Sequence, residues 1–252
     1  MWFVSKHSIV REIWGKADTI LFIFAGAAAE FALNKAVDWL FFTGKLPADP
    51  LGRLFSTVNY ARKIVFSETE KAHEVIDRMA DIHKEVENKR GSTIPAWAYR
   101  DVLYMLIDYS IRSYELLERR LSTTEKEEVY HVFRRVGVRM KIETIPFTFN
   151  EWLEDRKRHS EHDLEKSQYT EILFKQYRKR LGFVRYYILR LAQGEIVPAH
   201  VKGLLHLKGS FIMKMIIRVY KYTVYLRIDW MLKKSILPTE YFDEIKRLDI
   251  YK

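Results

Sequence analysis

Apolar residues recur every three or four positions in run after run along this chain, and no stretch alternates with period two for long enough to demand a strand. The spacing predicts helices near 16–42, 50–65, 68–89, 95–121, 125–140, 149–160, 168–192, 198–207, 210–236 and 239–248. Several starts are marked by the S/T-x-x-E pattern, in which two side chains reciprocally satisfy the orphan backbone donors of a first turn: Ser67-Glu68-Thr69-Glu70, Thr124-Glu125-Lys126-Glu127 and Thr148-Phe149-Asn150-Glu151. Pro50, Pro95, Pro198 and Pro238 stand at or near further starts, where a missing N–H costs nothing. No internal repeat and no Ser/Gly/Pro-rich linker divides the chain. The expectation is an all-α fold, a single globular helical domain over residues 1–252 built from about ten helices.

The most apolar stretch, Ile20 to Ala29, follows Lys6, Arg11 and Lys16 and resembles a leader peptide. The residues before it include Trp2, Phe3, Val4, Ile13 and Trp14, unlike a charged n-region, so secretion is disfavoured. Glu30, Lys35 and Asp38 interrupt the stretch well short of the ~20 residues a membrane span needs. A buried core helix over 16–42 is the reading, with an uncleaved membrane anchor as the alternative. The expected location is cytoplasmic or peripheral to a membrane.

Composition narrows the classes further. The 252 residues include 10 Gly, 6 Pro and no Cys, and 48% are hydrophobic. Disordered and collagen-like chains are excluded, as are disulfides, zinc fingers, iron–sulfur sites and thiol nucleophiles. Lys and Arg total 43 against 33 Asp and Glu, a net charge of +10, and residues 171–235 hold 14 of the cations with 3 acidic groups, so the excess resides there. Cations interleave with aromatics in this segment, as in Phe174-Lys175-Gln176-Tyr177-Arg178, and Lys214, Arg218 and Lys221 share one stripe. Ordinary packing with cationic stems reaching water fits this pattern. So does association with an anionic membrane surface, while nucleic acid is disfavoured because only charge suggests it.

Candidate chemistry centres on two helices. Ala72, Val75, Ile76, Met79, Ile82 and Val86 form an apolar stripe within 68–89, and His83 falls inside it, whereas His73 lies on the charged flank. A buried imidazole needs partners, and a backbone carbonyl, a carboxylate or a metal would each serve. On the preceding helix, Arg53 and Thr57 stand at i and i+4 among Leu51, Leu54, Phe55, Val58 and Val65, which implies a buried anion, a polar cavity or an arginine whose stem snorkels to water. Glu30 reads as a cap, a partner of Lys35 or a partner of another buried polar group, and less readily as a base. His159 and His162, spaced as metal ligands are, sit in so charged a stretch that a solvated loop or helix end is expected there. No phosphate loop, nucleophile elbow or His-Glu-x-x-His motif occurs.

The order Asp49-Pro50, Arg53-Leu54-Phe55-Ser56-Thr57, Val65-Phe66, Ile82-His83, Val86, Leu121-Ser122, Glu125 and Pro146-Phe147-Thr148 resembles the family of the ER-bound oxygenase MpaB and the rubber oxygenase latex-clearing protein. The resemblance has its core over residues 22–155 and continues more weakly through Pro198 and His200 to Leu207, within the basic helical C-terminal part 165–252. It implies helices around a buried haem pocket, haem b as the iron cofactor, and cleavage of carbon–carbon double bonds in isoprenoid chains with dioxygen. By position it makes His83 the proximal iron ligand and places Arg53 and Thr57 on the distal helix. The substrate class implied is an apolar small molecule, isoprenoid or lipid, and the alternative is a non-catalytic haem-binding or membrane-surface protein. Two departures stand out: Ser56 occupies the place of a distal lysine, and Glu30-Phe31-Ala32-Leu33-Asn34 replaces a Gln-x-Ala-His-Pro segment.

Overall fold

The computed structural model describes residues 1–42, 44, 49–225 and 248–249, and of residues 50, 53, 54, 224 and 225 it describes the backbone alone. Eleven helices are present among the described residues: α1 (Ile9–Trp14), α2 (Ala17–Phe31), α3 (Asp38–Phe42), α4 (Pro50–Val65), α5 (Thr69–Arg90), α6 (Ala96–Leu117), α7 (Thr123–Arg139), α8 (Phe149–His162), α9 (Gln168–Ile196), α10 (Ala199–Leu204) and α11 (Phe211–Tyr225). The fold is all-α, and among the described residues two isolated backbone bridges, Trp2 with Glu68 and Asn34 with Leu164, are the β-type pairings.

The centre is the α2–α6 pair. Small residues on α2 let the helices approach so closely that a Cβ on Gly26 would lie 2.3 Å from Tyr109 Cδ1 on α6. The face of α2 carrying Ile20, Ile23, Phe24 and Ala29 enters the main core with Tyr104, Ile107 and Tyr114 of α6, while Ala28 and Ala32 pack with Leu173 and Tyr177 of α9. Helix α1 joins α2, α4, α6 and α7, and α8 packs on α6 and α7. Trp14 of α1 is fully buried and donates its indole N–H to Ser110 Oγ on α6 at 3.1 Å, which satisfies a polar atom that burial would otherwise strand. Helix α11 packs on α9, and no described helix is long and apolar enough to cross a membrane.

Several boundaries differ from the periodicity. The expected helix 16–42 stops at Phe31 and resumes at Asp38. In between, Asn34 Oδ1 accepts from the Ala36 N–H at 2.9 Å, a local bond that competes with helix continuation. Helix α1 went unforeseen; Ser8 caps it by accepting from the Val10 N–H at 3.1 Å. The expected box at Ser67 is absent: Glu68 is the N-cap and makes no side-chain cap bond. The box expected at Thr124 is formed two residues earlier by Ser122 and Glu125, while Thr148 and Glu151 form theirs as expected. The expected continuous helix 168–192 is broken within α9 at Gly182, whose φ of 72° glycine tolerates and L residues rarely adopt. The expected helix 239–248, Pro238 and the end of 210–236 lie outside the described residues, apart from Leu248.

Gly26→Ala tests the central contact. The added methyl must displace the buried Tyr109 ring, and overpacking of this kind costs about 1–3 kcal/mol. Urea unfolding should show a lower midpoint with an unchanged slope; unchanged stability would mean that α2 and α6 have room to part.

Candidate functional site

Helices α4 and α5 are joined by the short turn Phe66–Glu68 and pack against each other. Asp49 caps α4 by accepting from the Gly52 N–H at 3.0 Å, with Pro50 in the first turn. Phe55 and Val58 face the core and Thr57 is half-buried. The backbone of residue 53 is helical, and the Arg53 side chain lies outside the described part. On α5 the apolar stripe is only partly covered: Ala72 and Ile76 are buried, but Ile82 is 37% exposed.

His83 is half-buried on this helix. Its Nδ1 lies 2.7 Å from the Met79 carbonyl oxygen. A carbonyl only accepts, so Nδ1 carries a proton, and in the neutral ring Nε2 is the nitrogen with the lone pair. The ring meets Tyr99 of α6 edge-on, with centroids 5.3 Å apart. The Tyr99 hydroxyl donates to Glu87 Oε1 at 3.2 Å, and burial, together with that carboxylate, raises the phenol above its usual range. At the end of α5, the Arg90 guanidinium lies 4.0 Å from the Trp39 ring centroid and donates to Asp38 Oδ2 at 2.6 Å, tying α3 to α5. Thr57 and His83 thus occupy neighbouring helices, and Tyr99 and Glu87 support the histidine side.

A second polar constellation lies in the core. Glu30 on α2, 1% exposed, receives both ends of the Arg156 guanidinium from α8, at 2.5 Å to Oε1 and 2.6 Å to Oε2. The Tyr109 hydroxyl donates to Glu30 Oε2 at 2.7 Å, and Arg156 Nη2 reaches Asp108 Oδ2 at 3.2 Å. Burial disfavours the charge on Arg156, but Glu30 and Asp108 outweigh it, so its pKa stays above its ordinary value. Burial also drives the Tyr109 phenol well up, so it stays protonated. Glu30 therefore serves as the partner of a buried polar group. Lys35 instead donates to the His162 carbonyl.

The expectation that His159 is solvated is corrected: it is 9% exposed, whereas His162 is exposed as anticipated. His159 Nδ1 lies 2.8 Å from Asp101 Oδ1 of α6 and 2.7 Å from Asp163 Oδ2, the C-cap of α8. The Tyr104 ring meets the imidazole at 5.6 Å, and its hydroxyl donates to Asp155 Oδ2 at 2.6 Å. Asn34 Nδ2 donates to Asp101 Oδ2 at 2.8 Å. Burial raises the Asp101 pKa above its usual value. A signal for this site existed in the sequence, because Phe149, Trp152, Asp155, Arg156 and His159 recur with the helical period. Polar residues at core positions masked it.

The model of the family described as ER-bound oxygenase mpaB/B'/rubber oxygenase, catalytic domain, matches residues 14–210, which takes in both the 22–155 core of the motif resemblance and its weaker continuation to Leu207. Neither the search of curated proteins nor that of solved structures found a match.

Arg156→Met leaves Glu30 buried beside a neutral side chain. Removing one partner of a buried ion pair costs about 3–5 kcal/mol, so equilibrium unfolding should show a large loss at neutral pH. Pairing it with Glu30→Met should recover much of that loss; a double variant whose loss equals the sum of the two single losses would show that the charges do not interact.

Proposed function

The chain belongs to the ER-bound oxygenase mpaB/B'/rubber oxygenase family of oxygenase catalytic domains, and on that premise we propose a haem b-dependent oxygenase that acts with dioxygen on an apolar small molecule of the isoprenoid or lipid class. His83 is the proximal iron ligand in this reading, with Arg53 and Thr57 on the distal side. The supporting observation is the Nδ1–H of His83 directed at the Met79 carbonyl, which leaves Nε2 as the nitrogen of the neutral ring that would hold iron. On this observation His83 suits the group. Haem iron supplies the dioxygen chemistry that side chains lack.

The protein's own part follows from its residues. The Met79 carbonyl orients the His83 ring. Tyr99 packs against the imidazole edge and limits its rotation. The Arg53 guanidinium would offset negative charge developing on dioxygen or hold a propionate, and the Thr57 hydroxyl would donate a hydrogen bond on the same side. Ser56 cannot ligate iron as a lysine would, so on that side a bound haem would be left open or would meet water.

A second reading concerns location and rests on exposed apolar side chains. Phe183 is 69% exposed and Val184 68% on α9, and on α11 Phe211 is 78% exposed, Val219 54% and Tyr222 67%. Lys179, Arg180, Arg185, Lys214, Arg218 and Lys221 are interspersed with them. This combination suits a peripheral contact with an anionic membrane surface, either for the oxygenase or for a non-catalytic haem protein.

Purified protein expressed with adequate haem should show a Soret band and about one pyridine haemochromogen per chain. His83→Ala should lose both while keeping its far-ultraviolet dichroism, and stoichiometric haem in that variant would overturn the ligand assignment. Flotation should carry the protein with anionic vesicles and leave it behind with neutral ones, whereas equal flotation with both would remove the charge-based reading of the basic segment.

A further inference from the structure

The cluster at His159 is unlike an ordinary buried ion pair. His159 Nδ1 has two carboxylate oxygens within 2.8 Å, yet neither contact is aligned as a hydrogen bond, and among the described residues Nδ1 and Asp101 Oδ1 have no other partner. Both oxygens lie off the axis along which the ring nitrogen could donate. An oxygen sharing a metal ion with that nitrogen would occupy such a place: with each atom about 2.1 Å from the ion, an N···O separation of 2.7–2.8 Å puts the oxygen roughly 50° off the lone-pair axis and subtends roughly 80° at the ion. That angle matches neighbouring positions of an octahedral shell better than tetrahedral ones.

The surroundings hold these three atoms in place. Asn34 has its amide orientation fixed by accepting from the Ala36 N–H, and it donates to Asp101 Oδ2, which turns Oδ1 toward His159. On the far side of the imidazole, Nε2 stands 3.8 Å from Asp155 Oδ2, a carboxylate fixed by the Tyr104 hydroxyl. At that distance Asp155 offers the second ring nitrogen its charge and not a hydrogen bond. Asp163 is held by main-chain bonds on both sides, its N–H to the His159 carbonyl at 2.9 Å and its carbonyl to the Lys35 N–H at 2.9 Å. The three ligand atoms lie within 4.8 Å of one another, and Asp163 remains partly exposed, leaving a route for an ion and its waters.

We propose that Asp101 Oδ1, His159 Nδ1 and Asp163 Oδ2 bind one small divalent transition-metal ion of the manganese or ferrous class, completed by water. The ion clamps α6 to the C-terminal end of α8 and balances carboxylates that the core otherwise leaves with one imidazole. The site shares no residue with the His83 site, and its occupancy does not depend on haem.

The test uses the full-length protein as purified, treated with chelator, desalted and titrated with Mn²⁺ while free ion is followed by room-temperature electron paramagnetic resonance. About one Mn²⁺ per chain should bind, and saturating metal should raise the thermal midpoint by roughly 5 °C. Asp163→Asn, at the partly exposed helix cap, should weaken uptake at least about tenfold and abolish the thermal shift without altering helicity. His83→Ala should bind Mn²⁺ as the unaltered protein does, which separates this site from the haem assignment. Absence of saturable uptake of Mn²⁺, Co²⁺ and Zn²⁺ up to about 0.1 mM, or uptake undiminished in both Asp163→Asn and His159→Gln, would overturn the proposal.

Discussion

Arg156 is buried to 6% exposure in the middle of a helical protein, and its charge must be matched where it stands. Glu30 provides the match from α2 and Asp108 adds to it from α6, so three helices are fixed about one guanidinium. That fixes the rotation of α8, which in turn decides where its neighbours point. Asp155 precedes Arg156 and His159 follows it by three positions, so both are carried to the α6 side, where Tyr104 and Asp101 meet them. Tyr109 joins this arrangement through Glu30 and at the same time lies against Gly26. The closeness of α2 and α6 and the pairing of the charges are therefore one constraint seen from two sides.

The α4–α5 hairpin lies outside that constraint and is built with fewer buried groups. Its inner helix offers Phe55 and Val58 to the core, but α5 buries only Ala72 and Ile76. Its far end is held by Arg90 acting on α3 through a ring face and a carboxylate, both partly exposed. Such an element suits a ligand group on a flank of the bundle better than one at its centre. The rigid polar core and the candidate cofactor histidine thus belong to different regions of the same fold.

Helical periodicity made most elements legible because their apolar faces repeat at the spacing of the helix, as in α4, α5 and α10. It failed where side chains compete with the backbone. Asn34 interrupts an apolar run by bonding its own turn, and Gly182 admits a left-handed residue inside a pattern that continues across it. The order of motifs around Arg53, Thr57 and His83 was legible and led to the family. The buried cluster was not, since Asp155, Arg156 and His159 look like solvent-facing residues until their partners on α2 and α6 are known. Charge complementarity between distant segments is a tertiary fact, and local spacing does not contain it.

The interruption at residues 32–37 has a further effect. Asn34 pairs with Leu164 as a strand-like bridge, and the Glu165 N–H donates to the Leu33 carbonyl at 2.7 Å while the Lys35 N–H donates to the Asp163 carbonyl. The segments after α2 and after α8 are therefore stitched edge to edge by their own main chains. Neither can open without breaking bonds of the other, so their amides would exchange with solvent as one cooperative unit, and the loss of either segment would be felt as local unfolding of both.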